Sequence, residues 1–418
     1  MTKANDKVIL ALIGAGGRGS QVILSIVHSA ANVEVKYVCE VDAQRGGNVI
    51  QELSKLQGYE PKRVADMRQV FDDKDVDGVV IATPEHWHAP ATIWACEAGK
   101  DVYVEKNVCL TMDEGRKMIE AATQNKRVVQ CGTQNRSGDY AFAARDYIAS
   151  GELGAIVTVK TYCMLPGTRE WILKEDSPVP EGLDWDRWLG PAEKVPYNVS
   201  RHRGWYDWWA YSGGAAMSGD ASHVIDLARM AVGDPGLPQA VFCAGGRVIF
   251  KDKREIPDNQ TVVFDMGTYP MTLESSQYGN YMTKTPQEIR FSDRFPEWRN
   301  NATRIEIYGT KGVMFLGRHG GGWQVFGSRK FEEIAKGIGY FPDEPHHRNF
   351  IDCIRSRKMP NAPIEQGVLS ATMVNLANLS YRSGKKWLGV DVVTGEITGN
   401  DEAAKLDKRI YREEYKLG

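Results

Sequence analysis

The sequence predicts an α/β protein of two units. Residues 1–134 form a Rossmann doubly wound parallel sheet, and 135–418 form an α+β unit with a large open, mainly antiparallel sheet. Three observations predict this. Short apolar runs alternate with helix-length segments up to about residue 132, the rhythm of βαβ units. The turn Gly14-Ala15-Gly16-Gly17-Arg18-Gly19 stands between the first such run and the first helix. After about residue 135, strand-like runs follow one another without helices between them, which favours antiparallel pairing.

In order, residues 8–13 read as a buried strand, 20–30 as a helix and 33–39 as a second strand. Strands follow at 78–82, 101–104 and 127–131, separated by helices near 90–98 and 112–125. In the second unit a strand is predicted over 155–163, then a Trp/Tyr/Pro-rich stretch from about 165 to 212 and a helix from Ala221. Further strands fall at 240–250, 260–265, 271–278, 304–308 and 313–316. Residues 350–357 and 369–382 read as helices, the second packing back on the first unit.

The 418 residues exceed what one core usually organises. A hydrophobic content of 42% interrupted by 25% charge is that of a soluble globular chain. No apolar run approaches the roughly 20 residues that span a bilayer, so no membrane role is expected. A net charge of -2 without any Lys/Arg block gives nucleic acid no footprint. Seven widely spaced cysteines with no CxxC pair read as core fillers in a reducing compartment. The first residues lead straight into an apolar strand, which predicts a cytoplasmic protein as written, or a periplasmic one if a leader has been removed.

Glycines at 14, 16 and 19 after a strand and before a helix have a mechanical reading. The first permits the tight turn, the second lets backbone approach a pyrophosphate, and the third lets helix and strand pack closely. Glu40 ends the second strand about 20 residues on, where a carboxylate hydrogen-bonds ribose hydroxyls and repels a 2′-phosphate. NAD is therefore expected, with NADP left open by Arg45. The bland reading makes Glu40 and Asp42 solvated turn residues. Thr83-Pro84 and His88 close the next strand at the carboxyl edge where such sheets bind ligands. His86 and His88 lack a surrounding ligand set, so no metal is expected. The cofactor-binding set is thus Gly14, Gly16, Gly17, Arg18, Gly19, Glu40, Asp42, Thr83, Pro84, His88, Glu105, Lys106 and Gln134.

Glu105-Lys106 ends another core strand, where a lysine can hydrogen-bond a substrate oxygen. His223 carries the side chain whose ordinary pKa suits proton transfer near neutrality. With Gly213-Gly214, His223-x-x-Asp226, Ile307-Tyr308-Gly309-Thr310-Lys311-Gly312 and His346-x-Arg348-Asn349-Phe350, these motifs resemble the glucose-fructose oxidoreductase/inositol dehydrogenase family, Gfo/Idh/MocA. The resemblance runs over nearly the whole chain. It implies hydride exchange between NAD(P) and a sugar or cyclitol carbon, with Lys106 and His223 in the catalytic positions and a homo-oligomer, dimer or tetramer. Two departures stand out. Asn107 replaces the family's usual proline, and Gly219 replaces an aspartate four residues before the histidine, leaving Asp220 to cap the helix or take the acid's role. Arg201, His202, Trp205 and Trp208 concentrate rings and polar groups suited to stacking on a sugar. With Asp226 and His346 they form the substrate-binding set, the competing reading being a hydrophobic plug.

The expected function is NAD-dependent hydride transfer to or from a secondary alcohol of a carbohydrate or cyclitol. The alternative is a redox-neutral NAD-dependent glycoside hydrolase or eliminase acting through a transient keto-sugar. A non-enzymatic nucleotide sensor ranks last, because both proton-transfer candidates are present.

Overall fold

A computed structural model describes residues 7–166, 170–214 and 216–417. The expectations that touch residues 1–6, 167–169, 215 and 418 lie outside the described residues there. The first sheet comprises β1 (Val8–Ile13), β2 (Val33–Cys39), β3 (Lys62–Val64), β4 (Gly78–Ile81), β5 (Asp101–Val104) and β6 (Val129–Cys131), in the order β3-β2-β1-β4-β5-β6. Every pairing in it is parallel. Strands in such a sheet are covered on both faces, which is why β4 and β5 are buried at all four positions each. Strand order reverses between β1 and β4, which opens a crevice at the carboxyl edge.

The second sheet has ten strands. They are β7 (Ile156–Met164), β8 (Ala240–Gly246), β9 (Asn259–Asp265), β10 (Pro270–Ser276), β11 (Arg304–Gly309), β12 (Gly312–Gly317), β13 (Trp323–Gly327), β14 (Glu332–Gly337), β15 (Leu388–Val390) and β16 (Ile397–Thr398). Their order is β14-β13-β12-β11-β7-β10-β9-β8-β15-β16. All neighbours run antiparallel except β7 and β10. Alternation follows the pleat: Gln260, Val262 and Phe264 are buried, while Thr261 and Asp265 are exposed. The buried face meets the helices Asp139–Ala149, Ser222–Ala231 and Ile364–Arg382 in one core.

Later segments return to the first unit. The helix Asp343–Ser356 inserts Phe350, Ile351 and Ile354 among Leu10, Val22 and Ile26. Ile364, Val368 and Ala371 join Val104, Val108 and Cys131. The predicted packing of the last long helix on the first unit is therefore observed. The helices Gly47–Gln57 and Asp139–Ala149 and the strands β3 and β13 to β16 have no counterpart in the sequence reading.

Candidate active site

The chain turns sharply after β1. Gly14 takes φ +88°, and a Cβ there would lie 2.8 Å from the Ala82 carbonyl carbon. A Cβ on Gly19 would lie 2.1 Å from the Gly14 carbonyl oxygen, so the third glycine is dictated by helix packing against the turn. The helix Gly17–Ser29 has no side-chain cap and no acidic residue in its first turn. Its leading N–H groups are left for an anion. Glu40 braces this cradle: Ala15 N–H donates to Oε2 at 2.9 Å, and Asp42 N–H donates to Oε1 at 3.0 Å. The Thr83 hydroxyl is buried on the cleft without a partner. A glycine-only cradle, an uncapped helix start, a carboxylate at the end of β2 and an orphaned hydroxyl together fit a bound dinucleotide.

The Glu40 end of the cavity is enclosed from the other side. Trp188, His202, Arg203, Trp205 and Tyr415 face Glu40, Arg45 and Arg68 across the cavity. Tyr415 stacks on Trp94 at 6.2 Å and meets Trp87 edge-on at 5.4 Å, with the Arg68 guanidinium over its ring at 5.7 Å. Burial and nearby arginines push His202 down to about 4.

Towards β4 and β5 the cleft continues into a second cavity that shares Arg18, Ala82, Thr83 and Trp205 with the first. Lys106 and His223 line it. Lys106 Nζ donates to the Ser218 carbonyl at 3.2 Å, bringing the end of β5 against the π-helical turn Met217–Ala221. His223 is buried and its Nδ1 has no partner. Burial, with the Arg318 and Lys106 cations adding to it, holds the imidazole well below its ordinary pKa. It is therefore neutral at neutral pH, with Nδ1 unspent. Arg18 Nε donates to Glu105 Oε1 at 2.8 Å, and Gln134 reaches the Tyr103 hydroxyl at 3.2 Å. His88 is held between the carbonyls of Asn107 and Thr83, at 2.8 and 2.9 Å. The Lys106–Asn107 peptide is cis, and Asn107 Nδ2 donates to the Cys109 carbonyl at 3.2 Å.

Other candidates stand apart from the cleft. Asp220 neither caps the helix Ser222–Ala231, which has no side-chain cap, nor lines the cavity. It pairs with Lys284 and lies 3.5 Å from His319 and 3.9 Å from Arg318, and the Arg318 and Lys284 cations hold its carboxyl below the usual range against its burial. Asp42 shapes its own turn, accepting from Gln44 N–H at 3.0 Å. Asp226 is buried against Arg136 Nε at 2.9 Å and accepts from Ser370. His346 is enclosed between the Cys131 carbonyl and Ser137. Arg201 lies over the Trp208 ring at 4.0 Å, and Trp208 belongs to a buried aromatic cluster. The aromatic segment thus divides: His202 and Trp205 reach the cleft, while Trp208 plugs.

Several cleft residues had no signal of their own. Arg318 follows β12, Asp343 opens a helix three residues before His346, and Glu85 accepts from Gly213 N–H at 2.7 Å, bridging the units. Tyr415 comes from the far end of the chain. Only the position of Glu85 beside Thr83-Pro84 was readable, and Asp343 by its nearness to the His346 motif.

Comparisons with known proteins follow the same lines. A levoglucosan dehydrogenase from Pseudarthrobacter phenanthrenivorans is 28% identical over 325 residues, which are 75% of this chain and 70% of that one. A glycosyl hydrolase family 109 protein from Shewanella pealeana is 32% identical over 126 residues, 29% of this chain and 27% of its own length. The solved structure of levoglucosan dehydrogenase in complex with NADH and levoglucosan superposes with a TM-score of 0.65 at 22% identity, covering 92% of this chain and 99% of that one, and so shares the fold. The model of the oxidoreductase family with an NAD-binding Rossmann fold matches residues 8–133. That of its C-terminal alpha/beta domain matches 148–241 and 308–417. With a glycine cradle, a carboxylate at the end of β2 and a second sheet closing the cleft, the chain belongs to the Gfo/Idh/MocA family of NAD-dependent oxidoreductases.

Proposed function

We propose that the protein is a dehydrogenase that oxidises a secondary alcohol of a sugar, glycoside or cyclitol. The observation that carries this is the meeting of Lys106, from the first sheet, and His223, from beneath the second, in one cavity continuous with the glycine cradle. Bound NAD supplies the hydride acceptor. His223, kept neutral by burial, takes the hydroxyl proton without first having to lose one. The Lys106 ammonium donates to the same oxygen and stabilises the charge that develops on it. Arg18, held by Glu105, and the uncapped helix start bind the anionic part of the cofactor. Asp220 acts one layer out, offsetting the Arg318 and Lys284 charges around the site. The similarity to a levoglucosan dehydrogenase supports a carbohydrate substrate.

The test is formation of reduced nicotinamide when the protein and NAD meet a panel of sugars, glycosides and cyclitols. Turnover lost in Lys106→Ala supports the assignment, and full activity in that variant removes it. A second reading, redox-neutral glycoside cleavage with retained NAD, is favoured by the enclosure of the Glu40 end of the cavity by Trp188, Trp205 and Tyr415. Release of an aglycone from nitrophenyl glycosides without added cofactor would separate the two. The homo-oligomer would use the face of the ten-stranded sheet turned away from the helices, where Val157 is exposed and Tyr162 and Tyr308 half-buried. Light scattering tests it.

A further inference from the structure

We propose that Arg318 and Asp343 form a clamp for two hydroxyls of an uncharged polyol ring, so that the substrate is a neutral sugar or cyclitol rather than an acidic one. This rests on the dehydrogenase reading and adds the chemistry of recognition. Both residues line the cavity that holds Lys106 and His223. The Arg318 side chain is 5% exposed, yet its Nε and Nη1 have no partner. Its remaining nitrogen, Nη2, lies 3.9 Å from Asp220, and Phe341 backs the guanidinium at 5.3 Å. The group is fixed in place with two donors unspent. Asp343 supplies the opposite need: its Oδ1 is buried and without a partner. The carboxylate performs no capping for its helix, whose N-terminal cap residue, Pro342, offers no side-chain bond.

Buried polar groups are ordinarily satisfied, and exceptions call for a ligand or a function. Unpartnered donors and an acceptor on side chains that line one cavity select a group able to accept and donate at once, which is the hydroxyl. Adjacent ring hydroxyls meet both demands: their oxygens accept from Arg318, and one O–H donates to Asp343. A carboxylate or phosphate would satisfy Arg318 but bring an acceptor, with no proton to give, against Asp343. The formal charges lining the cavity also balance, since Arg18, Lys106 and Arg318 oppose Glu85, Glu105 and Asp343, so the lining holds no excess of cations to draw an anion.

The test measures equilibrium binding of glucose, myo-inositol, glucuronate and glucose 6-phosphate to the protein loaded with NADH, followed by steady-state kinetics on the best neutral compound and its single-deoxy analogues. Neutral compounds should bind at least tenfold more tightly than the two anions. Asp343→Asn and Arg318→Gln should raise KM about 10- to 100-fold, with the NADH dissociation constant held within about twofold. The deoxy analogue lacking the clamped hydroxyl should lose as much with the wild type as Asp343→Asn loses with the full sugar, and little more in the variant. Tighter binding of an anion, or unchanged KM and an unchanged deoxy pattern in both variants, overturns the clamp. Polyol binding that needs both side chains, without any hydride transfer, leaves the clamp standing and removes the dehydrogenase reading instead.

Discussion

Replacing Gly19 by alanine sets two effects of known size against each other. Alanine in a helix interior is favoured over glycine by up to about 1 kcal/mol. The new Cβ, however, would sit 2.1 Å from the Gly14 carbonyl oxygen and 3.2 Å from Ala82 Cβ. That oxygen is backbone, held by a turn whose Gly14 N–H donates to the Cys39 carbonyl, so relief must come from moving the helix start off the strand. Overpacking of this kind costs roughly 1–3 kcal/mol. The net loss of stability is about 0–3 kcal/mol. The larger consequence falls on the cofactor, because the displaced element carries the N–H groups that receive pyrophosphate. Losing one charge-assisted hydrogen bond, worth roughly 1.5–3 kcal/mol, weakens binding by about 10- to 150-fold. Gly17→Ala is the control: its Cβ meets nothing within 4 Å, so the variant should be as stable as the wild type or slightly more so. Urea unfolding of the unliganded proteins and NADH titration of both variants measure the two terms. Equal NADH affinity in Gly19→Ala and wild type would refute the reasoning, since the contact would then be absorbed without moving the cradle.

Three further outcomes are expected. His223→Asn should lower kcat by about 10²- to 10⁴-fold while leaving NADH affinity intact, and a change under tenfold would take the proton-transfer role from it. Six of the eight histidines (His86, His202, His223, His319, His346 and His347) are held below their ordinary pKa, chiefly by burial. The unfolded chain therefore binds protons that the fold refuses, and stability is lost as pH falls below about 6.5. Asp407, pushed up to about 7, and Asp207, up to about 6, work with the opposite sign and offset a minority of this. Unfolding midpoints in urea at pH 7, 6 and 5 should fall steeply, and a flat profile contradicts the buried neutral histidines. Asp226→Ala strips a buried partner from Arg136 and should cost about 3–5 kcal/mol, partly spared by Asp234 at 2.7 Å. Because Asp226 lies away from the cleft, kcat and KM of the folded fraction should not change.

Five strands of the first sheet were legible because they are largely buried and stand out as runs such as Val8 to Ile13, with the glycine turn supplying register; β3 was not, since Lys62 and Arg63 are exposed. Nor was the edge of the second sheet. In β14 the residues Glu332, Glu333 and Lys336 occupy an exposed edge strand, whose charges blunt pairing with other chains and also erase the apolar alternation. Helix Gly47–Gln57 buries only Val49, Ile50 and Leu53, a face too narrow to separate from its glycine-rich lead-in. In the site, Lys106 and His223 were readable from their motifs. Asp226 and His346 share motifs with such residues, but periodicity does not tell which side of a helix faces a cavity, and both turn inward to buried partners. Arg318 and Asp343 are joined only by the folding of β12 and the helix Asp343–Ser356 onto the same crevice. No local pattern announces a pair made by tertiary packing.

Trp87, Trp94, Trp188 and Trp205 all line the cavity at the glycine cradle. This gives the molecule an internal lamp. Ultraviolet light absorbed by these rings passes to reduced nicotinamide only while the dinucleotide is bound in the same cleft, so sensitised blue emission reports occupancy without a label. The same signal follows release of the dinucleotide in real time, and so distinguishes an enzyme that exchanges its cofactor at each turnover from one that keeps it.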